Sequence, residues 1–151
     1  MRLGWFLPPV ALALFSALPA ATIHETIDQG DGAAVAAMLD ANPALLAERL
    51  ANGRTPLHTV AYGGQLGIVG LLLARGADPN VLTTSGSAPL HGAALAGHEA
   101  VVRLLVEKGA NVNIANQGGY TPLTNAATSG SFPTMKILID AGADINTTAP
   151  G

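Results

Sequence analysis

Short apolar stripes at helical spacing alternate with glycine-containing polar turns along most of the chain. In the clearest stretch, the first stripe starts at Pro56 and stops at Gly63, which predicts a helix of about two turns. A second stripe runs from Leu66 to Ala74 and predicts a second helix, closed by Gly76. The predicted unit is therefore a helix, a turn, a second helix and an extended loop.

This unit recurs at a fixed spacing of 33 residues, since Thr-Pro-Leu-His at 55–58 returns as Ala-Pro-Leu-His at 88–91 and as Thr-Pro-Leu-Thr at 121–124. Glycines and asparagines follow the same period: Gly64, Gly97 and Gly130; Gly76, Gly109 and Gly142; Asn80, Asn113 and Asn146. Helices this short are marginal alone in water, so each unit must cover its apolar stripe with a neighbour. A fixed period at several independent positions predicts an all-α solenoid of stacked units.

Residues at the helix starts and inside the helices predict local differences in stability. Thr55 is a favourable N-cap, and we expect its hydroxyl to accept a hydrogen bond from an early backbone N–H. Ala88 stands at the equivalent position one unit later, which should weaken that helix start by about 1 kcal/mol. Gly67 and Gly70 lie inside the second helix, where each costs about 1 kcal/mol relative to alanine. That helix is predicted to be the least stable element of the stack.

The pattern Gly-x-Thr-Pro-Leu-His, followed by Ala, Gly, a Leu-Leu pair, Gly-Ala-Asp and Asn, resembles the ankyrin repeat. Three units match it, at 53–85, 86–118 and 119–148, and a tail at 149–151 follows. The resemblance implies an all-α ankyrin-repeat solenoid of helix-turn-helix units with extended hairpin loops. It also implies a structural role for the shared motif residues, which are Thr55, Pro56, Leu57, His58, Pro89, Leu90, His91, Thr121, Pro122 and Leu123.

A degenerate unit at 22–52 precedes the three clear ones and resembles an N-terminal capping repeat. Thr22 and Glu25 have the spacing of a capping box, which predicts the start of a short helix. A second helix is predicted at Ala33–Asp40, and a longer connection, 44–52, leads to the first full unit.

The first residues of the chain differ from the repeats. Arg2 supplies a positive charge, an apolar stretch runs from Leu3 to Leu18, and small residues follow up to Ala21. This order predicts a cleavable secretory signal peptide at 1–21, hence a periplasmic or secreted protein with no stable membrane insertion after cleavage. The alternative is an uncleaved inner-membrane anchor. A spanning helix needs about 20 apolar residues, however, and prolines at positions 8, 9 and 19 interrupt this stretch.

Composition and charge exclude several classes of function. The chain contains no cysteine, which excludes disulfides, thiol catalysis and cysteine-based metal sites. Without Arg2, six basic residues stand against ten acidic ones, a formal charge of −4. No basic run or basic–aromatic cluster is present, so nucleic acid is not an expected partner.

The four histidines are not spaced as in a zinc or catalytic site. His58 and His91 occupy equivalent positions, where the ankyrin resemblance implies hydrogen bonds between the loops of adjacent units. His98 follows the inter-helix glycine, again at a family position, and His24 lies in the degenerate unit without a neighbouring ligand type. We therefore expect no catalytic residue, no metal and no cofactor, and an enzyme is the least favoured class.

The resemblance implies a concave groove lined by the hairpin tips and the exposed face of the first helices. Positions that vary in the family fall on Ala51, Asn52, Arg54, Tyr62, Gly63, Thr84, Ser85, Ser87, Leu95, Ala96, Gln117, Gly118, Tyr120, Thr128 and Ser129. The partner-binding residues predicted from this set are Arg54, Tyr62, Ser87, Leu95, Tyr120 and Thr128. Tyr62 and Tyr120 are the leading anchors, because tyrosine is enriched at interface hot spots. The alternative is that both rings only cover apolar surface.

The last unit has no polar closing face. Residues 135–139 are patterned like an internal helix, and Thr124 replaces the repeated histidine. One interpretation is that a small array tolerates a partly exposed apolar side. The other is that this side packs on a partner or on a second copy of the chain.

These patterns lead to three hypotheses for function besides an enzyme. The leading one is a small exported bacterial adaptor, a non-enzymatic scaffold of the envelope that binds another protein through its groove and hairpin tips. The second is an inhibitor or immunity protein that neutralises one envelope enzyme or toxin. The third is a structural component of an envelope assembly, held through the last unit.

Overall fold

The computed structural model of the chain describes residues 21–147. Within this range it contains eight α-helices, one short 3₁₀ helix and no strand, which confirms the predicted all-α repeat solenoid. The α-helices are α1 Ile23–Asp28, α2 Gly32–Ala41, α3 Pro56–Tyr62, α4 Leu66–Ala74, α5 Pro89–Leu95, α6 Glu99–Glu107, α7 Pro122–Thr128 and α8 Phe132–Asp140. The predicted tail at 149–151 and, apart from Ala21, the predicted signal peptide lie outside the described residues.

The helices stack in two layers with one apolar core between them. One layer consists of α1, α3, α5 and α7, and the other of α2, α4, α6 and α8. The core passes through every unit and includes leucines that are at most 1% exposed, namely Leu57, Leu72, Leu90, Leu105 and Leu138. Burying each such side chain contributes about 1.5–3 kcal/mol, so stacking stabilises helices that are too short to persist alone.

The start of α3 is capped differently from the sequence prediction. The Thr55 hydroxyl was expected to accept a backbone N–H, and this is wrong. Instead the Nδ1 atom of His58 accepts the Thr55 backbone N–H at 3.1 Å, and the Thr55 hydroxyl lies 2.9 Å from the same nitrogen. His91 accepts the Ala88 N–H in the same way, also at 3.1 Å. Alanine at position 88 therefore leaves the cap in place, and the predicted weakening of α5 no longer follows.

The extended loops form hairpins whose tips are hydrogen-bonded from one unit to the next. The Thr84 backbone N–H donates to the Asn52 carbonyl at 3.1 Å, and the Gln117 N–H donates to the Ser85 carbonyl at 3.0 Å. Arg49 donates to the Leu82 carbonyl at 2.9 Å. The hairpins are thus held side by side along one edge of the stack.

The other edge is fixed by asparagines at the turn that ends each unit. The Asn80 side chain accepts the Asn111 N–H at 2.7 Å and donates to the Gly109 carbonyl at 3.0 Å. Asn113 repeats both bonds with Asp144 and Gly142 in the following unit, at 2.8 and 3.1 Å. These bonds explain the asparagine in the 33-residue period.

The N-terminal unit has the predicted helix pair and one addition. Thr22 and Glu25 form the predicted capping box, with N–H to side-chain oxygen distances of 3.2 and 2.7 Å. The connection at 44–52 is not wholly irregular, because a 3₁₀ helix, Pro43–Ala47, packs on α2 and α3. No helix within residues 21–147 combines the length and the apolar character needed to cross a bilayer.

The outer side of the last unit is open, as its sequence predicts. Ala61 and Ala94 are fully buried by the next unit, whereas the equivalent Ala127 is exposed. Ile139 on α8 is 43% exposed. Thr124 makes its cap with Thr121 alone, donating and accepting within α7. It needs no partner in a further unit, whereas a histidine there would have required one.

Candidate functional site

An open groove runs across three units between the hairpins and the first-layer helices. Its cavity has a volume of about 570 Å³. The walls come from the hairpins on one side and from α3, α5 and α7 on the other, so the groove follows the direction of stacking. Most of its residues differ between units, apart from His58 and His91, which occupy equivalent positions.

The structure brings all six predicted partner-binding residues to this groove. Arg54, Ser87 and Tyr120 occupy equivalent positions and form a row along the hairpins. The second row lies at the ends of the first-layer helices and consists of Tyr62, Leu95 and Thr128. Tyr62 is 52% exposed and Leu95 is 42% exposed, so both present apolar surface to solvent. Whether these residues contact a partner stays a prediction.

Arg54 and Tyr62 form the most distinctive pair in the groove. The Arg54 guanidinium carbon lies 5.7 Å from the centre of the Tyr62 ring, within the range of a cation–π contact. A Cβ atom added to Gly92 on α5 would lie 3.4 Å from the Tyr62 Cβ, so the absence of a side chain at position 92 leaves room for the tyrosine. The two residues therefore form a packed corner at one end of the groove.

Two buried histidines form the floor of the groove. The Nε2 atom of His58 donates to the Ser87 carbonyl, and the Nε2 atom of His91 donates to the Tyr120 carbonyl, both at 3.0 Å. Since each Nδ1 atom accepts a backbone N–H, both rings are neutral with the proton on Nε2. These bonds join each unit to the next, as the family resemblance implied.

Burial lowers the pKa of His58 from 6.5 to about 4. The nearby Arg54 and Arg49 charges lower it further, and the hydrogen bond to the Ser87 carbonyl opposes the shift. Burial also lowers the pKa of His91. The floor is therefore uncharged near neutral pH and contributes rigidity, not charge.

Sequence reasoning missed three polar residues of the groove, namely Thr83, Asn116 and Asn125. Asn116 donates to the Ser87 hydroxyl at 3.2 Å and accepts the Tyr120 N–H at 3.1 Å. Asn125 on α7 donates to the His91 carbonyl at 3.2 Å. Neither asparagine recurs at the equivalent positions of the other units, and this difference between units could have identified both residues from the sequence.

The remaining histidines lie outside the groove. The Nε2 atom of His98 donates to the Tyr62 carbonyl at 2.9 Å, which joins α6 to the end of α3. His24 is buried, and its Nδ1 lies 3.3 Å from the Thr59 hydroxyl. Within residues 21–147, no group of three or more histidine, aspartate or glutamate side chains is placed to hold a metal ion.

Comparison with known protein families agrees with this architecture. The family model described as ankyrin repeats in three copies matches residues 23–116 and, in a second overlapping match, residues 58–149. Ankyrin repeats are general protein–protein interaction modules and are typically not enzymes. Since the two matches together cover most of the sequence and the helix pairs stack as described, the chain belongs to the ankyrin-repeat family.

Proposed function

We propose that this protein is a non-enzymatic adaptor of the bacterial envelope that binds a segment of another protein in the groove. The observation that carries the proposal is the arrangement of the two rows. Six solvent-accessible side chains of differing chemistry line a single groove, while the positions beneath them repeat with the period of the stack. Surface side chains that differ from unit to unit, on a scaffold whose other positions repeat, are typical of a recognition site.

Rigidity of the groove supports this proposal. The His58 and His91 hydrogen bonds hold consecutive hairpins to the helices beneath them, and the Thr84 and Gln117 N–H groups join the hairpin tips. A preformed groove loses little conformational entropy when a partner docks. Binding energy can therefore come from a few contacts, above all those of Tyr62 and Tyr120.

The decisive experiment compares alanine variants of exposed aromatic residues. The protein is tagged at its C-terminus, expressed with its natural N-terminus and used to capture partners from an envelope fraction, with quantitative mass spectrometry. The Tyr62→Ala/Tyr120→Ala variant should lose the specific partner while its far-UV circular dichroism is unchanged. The matched control is Phe132→Ala, since Phe132 is 78% exposed and lies on α8 outside the groove. Equal capture by the double variant and the wild type would refute binding through the groove.

The envelope location rests on the N-terminal sequence. Arg2, the apolar stretch and the small residues before Ala21 have the order of a secretory signal peptide. The intact mass of the exported protein should equal that of a chain without residues 1–20 or without residues 1–21. A mature protein that keeps Trp5 would contradict cleavage and favour an uncleaved anchor.

A second candidate function is that of an assembly component, including self-association, held through the outer side of the last unit. The exposure of Ala127 favours it, because the equivalent Ala61 and Ala94 are fully buried in the stack. Ile139 of the same unit is 43% exposed. Light scattering over a range of concentrations should then show an oligomer that the Ile139→Glu variant abolishes. A wild-type protein that stays monomeric at every concentration would count against self-association.

A further inference from the structure

The charges of this protein are distributed unevenly between the groove and the remaining surface. All ten acidic residues lie within residues 21–147, against six basic ones, yet none of the acidic residues lines the groove. Arg54 is the one lysine or arginine among the described residues that line it. The histidines of the floor are neutral, as their hydrogen bonds require. A mildly acidic protein therefore has a groove whose formal charge is positive.

The Arg54 charge has no carboxylate partner within the described range. Two ion pairs are found there, Arg75 with Asp40 and Lys136 with Asp140, and neither involves Arg54. The charges of Glu48 and Asp28 act on the pKa of His24, as that of Arg54 does, but neither carboxylate lines the groove or pairs with Arg54 within the described residues. The positive charge is thus available to a ligand.

Packing prepares Arg54 to bind a planar anion. Arg54 is half-buried, and its guanidinium lies over the Tyr62 ring, which limits its freedom. Its side-chain N–H donors make no hydrogen bond within residues 21–147. Arginine in such a position matches the geometry of a carboxylate with two parallel hydrogen bonds. The adjoining surface of Tyr62 and Leu95 is apolar and exposed. The corner therefore suits an acidic side chain with an apolar neighbour.

Resting on the function proposed above, we infer that the groove recognises an extended segment of its partner that places one Asp or Glu side chain on Arg54 and an apolar side chain on Tyr62 and Leu95. The groove continues past this corner to Tyr120 and Thr128, so a segment can extend beyond it along the stack. Because the partner segment continues along the groove beyond this corner, we expect the acidic group to be a side chain within the segment and not its C-terminal carboxylate.

The test uses a synthetic library of short peptides with randomised sequence, acetylated at the N-terminus and amidated at the C-terminus. Peptides retained by immobilised wild-type protein should be enriched in Asp or Glu at one position, with an apolar residue nearby. Replacing that acidic residue by its amide should weaken binding about tenfold, and Arg54→Gln should do the same. The two changes together should cost little more than either alone, because they remove the same interaction.

Two further variants separate charge from packing and from general electrostatics. Arg54→Lys keeps the charge but loses the planar guanidinium, so it should retain only part of the acidic preference. Arg103→Gln removes an exposed arginine of α6 that is outside the groove and outside both ion pairs, and it should leave the preference unchanged. Thermal unfolding of each variant checks that the fold is intact.

The outcomes distinguish this inference from the proposed function. Peptides that require Tyr62 and Tyr120 but show no acidic preference, or bind Arg54→Gln equally well, would overturn the acidic-segment inference and leave groove binding standing. A preference found only in a parallel library with free C-termini would overturn the assignment to an internal side chain. If no retained peptide depends on the two tyrosines, groove binding itself fails.

Discussion

Acidification should destabilise this protein through its buried histidines, and His58 allows the effect to be calculated. Its pKa is 6.5 in the unfolded chain and about 4 in the folded one. Below pH 6.5 the unfolded state binds a proton that the folded state rejects, so the free energy of unfolding falls as the pH falls. The loss begins near the unfolded pKa and is complete near the folded one.

The full shift corresponds to about 3 kcal/mol, and about 2 kcal/mol of it is lost between neutral pH and a pH of about 5. This loss is large beside the stability of a typical domain, about 5–15 kcal/mol. The main cause is burial of the ring, which disfavours its charged form. A protonated ring would also direct an N–H at the Thr55 N–H, which Nδ1 now accepts at 3.1 Å.

The chain offers its own control at the equivalent position of the last unit. Thr124 accepts the Thr121 N–H at 2.8 Å, so His58→Thr should keep a cap while removing the titrating group. Urea unfolding followed by circular dichroism would give the free energy of unfolding of both proteins at pH 7 and at about pH 5. The wild type should lose about 2 kcal/mol more than the variant between these conditions. Equal losses would refute the low pKa of His58, since contributions from all other groups cancel in the comparison.

Two other substitution pairs test the stacking energetics by urea unfolding. Gly70→Ala should stabilise the protein by about 1 kcal/mol, because helix propensity improves and the new Cβ would lie at an ordinary 3.9 Å from Leu104. Gly64→Ala should do the reverse, because its φ is +70° and the Cβ would lie 2.6 Å from the His98 ring; a neutral result there would contradict the described packing. Asn113→Ala should cost about 1–3 kcal/mol by removing two bonds to the next unit. Asn146→Ala, whose side chain bonds only Asp144 in the described range, should change the free energy of unfolding little.

The helices could be predicted from the sequence because their signals are local. Pro56 and Pro89 mark helix starts, and glycines mark the ends, so the predicted bounds of α4 agree with the structure. The groove residues could be placed for a related reason. A fixed period puts equivalent positions on the same surface, and the family resemblance identifies that surface.

The cap of α3 could not be predicted, because it depends on a group from another unit. The Ser87 carbonyl, 29 residues further along, accepts the Nε2–H of His58 and so leaves the Nδ1 atom free to accept the Thr55 N–H. The Thr55 hydroxyl lies within hydrogen-bond distance of the same nitrogen. The positive charge of the groove could not be predicted for a similar reason. Whether Arg54 meets a carboxylate depends on where every acidic residue lies in the stack.

The hydrogen bonds that His58 and His91 donate to the following unit have a consequence for the evolution of this protein. Each of these two histidines donates to the hairpin of the next unit. The unit at 86–118 therefore carries both the carbonyl that accepts from His58 and a donor, His91, to the unit that follows it. Duplicating this unit would leave every junction chemically complete, with His91 of one copy facing Ser87 of the other. Groove length can therefore change in whole steps of 33 residues without redesign of the junctions. Thr124 has no such donor for a following unit, because its hydroxyl donates to the Thr121 carbonyl within its own unit.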